Sequence, residues 1–133
     1  MLRGKRVVAL LFPGQGSQSV GMLRDLAAIP GAARLIDQAD PQLLDVIAKG
    51  PRETLNMTRW AQPALYLAGL CHYERWRWMQ GDLLTGDDAP SLVMLGHSVG
   101  EYAALTAARL IDFQHGLQLV VSGCMQHQIS LRR

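Results

Sequence analysis

Residues 91–110, SLVMLGHSVGEYAALTAARL, pass from an apolar run to an alanine-rich run across Gly96-His97-Ser98-Val99-Gly100. A short apolar run stopped by glycine reads as a buried strand, and an alanine-rich run of about a dozen residues reads as a helix. A strand that turns into a helix within two or three residues crowds its own backbone, and a glycine on either side of the turn removes the clash. This is the context in which a G-x-S-x-G pentapeptide raises a serine above the end of a sheet. The flanks therefore predict Ser98 on a sharp bend, with the N-terminus of the following helix offering backbone N–H groups to negative charge. Without those flanks the pentapeptide is a weak signal, and a serine that simply caps a helix would be the better reading.

A second apolar run, Arg6 to Phe12 (RVVALLF), is stopped by Pro13-Gly14 and suits a strand buried on both faces. PGQGSQ then reads as a loop. Between Met22 and Ala48, helix-forming segments are punctuated by Pro30-Gly31 and Asp40-Pro41, which predicts two or three short helices, and Pro51 opens another around RETL. After the polar stretch NMTRW, Pro63 to Met79 reads as a long, largely covered helix whose apolar stripe broadens to Tyr73, Trp76 and Trp78. Gln80 to Pro90 is a loop by its Gly, Asp and Pro content. Strand, helices, strand, helix is the alternation of an α/β fold, a parallel sheet with flanking helices. At 133 residues the chain suits one domain around one core.

Composition excludes several classes of function. Thirteen Lys and Arg stand against 11 Asp and Glu, a net charge of +2, and no dense basic stripe interleaved with aromatics is present, so no nucleic-acid partner is expected. Cys71 and Cys124 lie far apart with no Cys or His at metal-ligand spacing, which argues against a disulfide framework or a metal site and for a reducing compartment. MLRGKRVVALLF has the basic-then-apolar order of a secretory signal, but the run from Val7 to Phe12 falls short of the roughly 7 to 15 residues such a signal needs. No apolar stretch approaches the roughly 18 residues of a membrane span. The expectation is a soluble chain that is neither secreted nor embedded in a membrane.

Three stretches in order, LLFPGQGSQSVGM at 10–22, QPAL at 62–65 and GHSVGEYAAL at 96–105, together resemble the acyl-CoA:acyl-carrier-protein transacylase family, in particular the malonyl transacylases of fatty-acid synthesis. The resemblance runs from about Arg6 to Val120. It implies the α/β-hydrolase-like core of an acyltransferase, with residues 1–133 as a partial domain: the N-terminal part of the large subdomain, truncated and without the small subdomain. It further implies Ser98 as the nucleophile that takes the acyl group from coenzyme A as an ester. Gln15 and the backbone N–H of Val99 would form the oxyanion hole, and Gln62 and His97 would line the substrate site. Gly14 and Gly16 let the loop backbone approach the elbow, so that the side chain or backbone of Gln15 can donate to an oxyanion. Read alone, Gln15 is a solvated loop residue. His97 is not expected to be the base, because adjacent side chains on such a turn point apart. The implied partners are malonyl-CoA and the phosphopantetheine thiol of acyl carrier protein, joined in a double displacement. No cofactor or metal is implied beyond the thioester substrate, and the compartment would be the cytoplasm or the mitochondrial matrix.

After Ser98 the pattern breaks. A serine hydroxyl needs a positioned base, and the family takes that base from a histidine far downstream. Here the imidazoles that follow are His115 and His127, with Asp112 the one acid after Glu101 to orient them. FQHG, Phe113 to Gly116, falls where the resembled family has a turn between helices, so His115 reads most simply as a solvated turn residue. Malonyl-specific members also follow Gly-Leu-x-Leu-Val with an arginine whose fork pairs with the free carboxylate. In this chain Gly116 to Val120 continues as VSGCMQHQISLRR, that arginine is missing, and Arg132 and Arg133 at the end have no claim to its role. Enzymatic activity therefore stays open: a non-catalytic form that binds acyl carrier protein or coenzyme A is one alternative. A serine esterase or lipase is another, although FPGQG stands where an HGGG-like loop would be. A sheet short of strands would also expose apolar faces.

Overall fold

The computed structural model describes residues 4–131, with side-chain surroundings up to Cys124. Strand β1, Val7–Phe12, pairs in parallel with β2, Ser91–Gly96, from Val7 opposite Ser91 through to Phe12 opposite Gly96. Because the register has no stagger, both strands end at one level. The loops that follow them leave side by side at the carboxyl edge, where open α/β sheets hold their ligands.

Between the strands run α1 (Pro30–Ile36), α2 (Pro41–Lys49), α3 (Arg52–Leu55) and α4 (Thr58–Gln80). Pro30 and Pro41 sit in the first turns of α1 and α2, and the Asp40 carboxylate accepts the Gln42 N–H at 2.8 Å, so α2 starts on a side-chain cap. Leu43 and Ile47, one turn apart, turn its apolar face inward. The middle of α4 is covered nearly all round: Ala64, Leu65, Tyr66, Leu67, Ala68, Leu70 and Cys71 are all buried. It is the central pillar of the core. After β2, the small residues Ala103, Ala104 and Ala107 bring α5 (Gly100–Ala107) down close to the sheet, and α6 (Phe113–Leu131) follows. The wholly buried Tyr66 ties three helices, its hydroxyl donating to the Phe113 carbonyl at 3.0 Å and meeting Thr106 Oγ1 at 2.8 Å.

Three expectations are corrected. Strand β1 is covered on one face only: Phe12 is buried and Leu10 partly so, while Val7 and Leu11 are 64% and 74% exposed. An unbroken apolar run reveals no periodicity, so it cannot say which face is filled. Next, α4 begins at Thr58, five residues before Pro63, which lies inside the helix. The Trp60 and Ala61 N–H groups both reach the Met57 carbonyl at 2.8 Å. The first turn therefore closes before the proline, whose missing N–H removes only the bond to Arg59. Finally, FQHG is the first turn of α6. Asp112 caps it, its carboxylate accepting the His115 N–H at 2.7 Å and its carbonyl the Gly116 N–H at 3.0 Å.

Candidate active site

The bend at 97–99 is as tight as the sequence requires. The His97 N–H donates back to the Phe12 carbonyl at 3.1 Å, tying the start of the bend to the end of the neighbouring strand. Ser98 then takes φ 55°, a left-handed conformation that non-glycine residues seldom adopt and that costs of order 1–3 kcal/mol. Helix α5 starts at once, as the Gly100, Glu101 and Tyr102 N–H groups bond to the carbonyls of His97, Ser98 and Val99 at 3.0, 3.0 and 3.2 Å. No side chain caps this helix, so the cap reading of Ser98 does not hold. A Cβ on Gly96 would run into the backbone of Gly100 and Glu101, and one on Gly100 into the Phe12 carbonyl. Ser98 and His97 are exposed and Val99 is 3% exposed.

The loop after β1 packs against this elbow. A Cβ on Gly14 would lie 2.8 Å from His97 Nδ1 and from the His97 carbonyl, and 3.2 Å from Ser98 Cβ. The next residue, Gln15, is therefore brought to the same edge as Ser98. Its side chain is exposed but engaged: Gln15 Nε2 donates to Thr58 Oγ1 at 3.3 Å, and Gln62 Nε2 donates to Gln15 Oε1 at 3.4 Å. Cys124 on α6 completes the row, with Sγ 3.1 Å from Gln62 Oε1. Among the described residues the backbone N–H groups of Gln15 and Val99 have no acceptor. Two free donors thus lie on the two loops that meet at Ser98.

Ser98, Val99, Gln15, Gln62 and His97 are gathered at this edge, His97 standing beside Gly14. Sequence reading missed Thr58 and Cys124. Thr58 precedes Gln62 by one helical turn, a signal that becomes legible only once α4 is known to start before the proline. No pattern marked Cys124.

No described side chain bonds to the Ser98 hydroxyl. His115 is exposed on the first turn of α6, nine residues and about 13 Å of helix rise from Cys124. Arg132 and Arg133 lie outside the described residues, and His127 lies beyond Cys124, the last residue whose side-chain surroundings are described. No group of three or more His, Cys, Asp or Glu among the described residues could hold a metal ion, and no helix there is long and apolar enough to cross a membrane. A groove of about 590 Å³ between β1 and α4 is lined by Leu10, Phe12, Pro13, Met22, Leu65 and Tyr73 among others, and by none of the elbow residues.

A sequence profile of the acyl transferase domain matches residues 9–132. The chain belongs to the acyl transferase domain family. A malonyl CoA-acyl carrier protein transacylase of Haemophilus influenzae is 42% identical over 120 residues, covering 84% of this chain and 36% of the relative. The solved malonyl CoA-acyl carrier protein transacylase of Coxiella burnetii superposes with a TM-score of 0.78 at 34% identity, covering 93% of this chain and 38% of that one. A malonyl-transacylase solved in complex with its type II polyketide acyl-carrier protein gives a TM-score of 0.66 at 38% identity, over 90% of this chain and 38% of that one. This acyl transferase chain therefore spans little more than a third of the length of these relatives. Its α/β fold, a parallel sheet with flanking helices, is that of the solved acyl transferases.

Proposed function

We propose that the chain carries the nucleophile and oxyanion-binding part of a site that moves a malonyl or related acyl group from coenzyme A to acyl carrier protein. The observation that carries this reading is the left-handed Ser98 on its elbow, beside a loop that brings the unpartnered Gln15 N–H to the same edge as the unpartnered Val99 N–H. Ser98 Oγ attacks the thioester carbonyl carbon, and the π electrons move onto the oxygen, which the two N–H groups receive. Collapse breaks the C–S bond, and coenzyme A leaves as the thiol with the proton released by the serine. The phosphopantetheine thiol of the carrier protein then reverses the sequence and frees Ser98. The Gln15 side chain is engaged with Thr58 and Gln62, and its backbone N–H, which has no described acceptor, serves as the donor. Gln62 and His97 border the acyl group. The two free thiols fit a reducing compartment, cytoplasm or mitochondrial matrix.

One observation favours a second reading, binding of coenzyme A or carrier protein without turnover: no described imidazole bonds to Ser98. A serine site without its base keeps about 10³ to 10⁴ over water from oxyanion stabilisation and binding. Incubation with radiolabelled malonyl-CoA separates the readings. Alkali-labile label on Ser98, absent from Ser98→Ala and discharged by carrier-protein thiol faster than by water, is the expected result. Discharge by water alone points to an esterase. A folded chain that binds malonyl-CoA but takes up no label sinks the transfer reading in favour of the binder.

A further inference from the structure

The two ends of a glutamine amide are nearly alike in shape, so hydrogen-bond partners must decide which end faces where. The row beside the elbow has a single direction. The Cys124 thiol donates to Gln62 Oε1 at 3.1 Å, Gln62 Nε2 donates to Gln15 Oε1 at 3.4 Å, and Gln15 Nε2 donates to Thr58 Oγ1 at 3.3 Å. Thr58, at one end, carries a hydroxyl that can either accept or donate and so fixes nothing. Cys124, at the other, is 2% exposed, and burial pushes its thiol up, so at neutral pH it remains S–H. A thiol sulfur is a poor acceptor, and turning Gln62 over would aim an N–H at it while losing the acceptor of the S–H. Its other contact, the Thr58 carbonyl at 3.6 Å, is longer.

The consequence reaches the elbow through Gln15. With its amide held in the row, the Gln15 loop is tethered to α4, and to α6 only through Gln62 and Cys124, while Gly14 packs on His97 and Ser98. We infer that Cys124 is a positioning residue: its thiol hydrogen sets the orientation of the Gln62 amide and, through it, holds the Gln15 loop against the Ser98 elbow. Its effect on acyl transfer rests on the reading of Ser98 given above; its effect on the two amides does not.

The test compares Cys124→Ser with Cys124→Val. Serine keeps a donor but puts a hydroxyl in a buried place; valine fills the place without a donor. A residue that only packs would tolerate valine better, and a positioning residue serine. The readouts are hydrogen exchange of the Gln15 and Gln62 side-chain N–H groups by ¹⁵N NMR and the rate of Ser98 labelling by malonyl-CoA. Serine is expected to keep the amide protection and to label within about threefold of the parent, whereas valine loses the protection and labels roughly tenfold more slowly. Should valine not fold, Cys124→Ala takes its place. Parent-like amide protection in the valine or alanine variant overturns the inference. Failure of the parent itself to label counts against acyl transfer alone, because the amide signals are read on the free chain.

Discussion

At the scale of single residues, the glycines of the elbow act through contact. A methyl group on Gly100 would meet the Phe12 carbonyl, which is strand backbone and cannot step aside. Gly100→Ala is therefore expected to cost about 3 kcal/mol or more. In α6, by contrast, a Cβ on Gly123 meets nothing within 4 Å, and Gly123→Ala is expected to stabilise by about 0.5–1 kcal/mol because alanine loses less freedom in a helix. Urea unfolding of the two variants gives both signs, and similar shifts would remove the close-approach argument. Gly100 was legible in the sequence because the strand-turn-helix context prescribes it. The φ of Ser98 was legible only as a consequence of the bend. Which group of Gln15 is free to donate was not legible, since that depends on Thr58 and Gln62, 43 and 47 residues away.

Among the elements, α4 decides most. It runs through the core, and its residue Cys71 is buried against α1, with Sγ 3.8 Å from the Ala32 carbonyl. Burial first, and the charge of Glu74 second, push the Cys71 thiol up from 9.0 to about 12. The sign follows from proton counting. Above pH 9 the unfolded chain loses this proton while the folded chain keeps it, so the stability is fully present below pH 9 and drains away as pH rises toward 12. Urea midpoints are expected to fall between pH 8 and pH 11, and Cys71→Ala to flatten part of that fall. The rest belongs to Tyr66 and Tyr73, both raised chiefly by burial. An unchanged slope in Cys71→Ala would contradict the burial argument. Helix existence was readable from the periodicity and the punctuating prolines. The start of α4 was not, because Pro63 signals a break that the neighbouring hydrogen bonds override, and the start of α6 was not, because the resemblance placed a turn at FQHG where the Asp112 cap opens a helix.

For the molecule as a whole, the two-stranded sheet is covered on one side. Val7, Leu11, Val93 and Leu95 share the other face, 64, 74, 49 and 41% exposed for Val7, Leu11, Leu95 and Val93. An apolar face of this kind promotes association. The double substitution Leu11→Lys with Leu95→Lys is expected to lower self-association, read by sedimentation, while changing unfolding free energy by less than about 0.5 kcal/mol. A large loss of stability would mean that this face is packed in solution.

The alternation of elements, the bend at Ser98 and the kinship of three motifs were determined by the sequence alone. Each depends on neighbours along the chain: the period of apolar residues, the room left by a glycine, the order of short stretches. Tertiary structure decided that the two strands end at one level, that Gln15, Gln62, Thr58 and Cys124 meet in a row, and that one sheet face stays open. Those outcomes depend on which distant surfaces share a contact, and packing settles that only when the whole chain is folded.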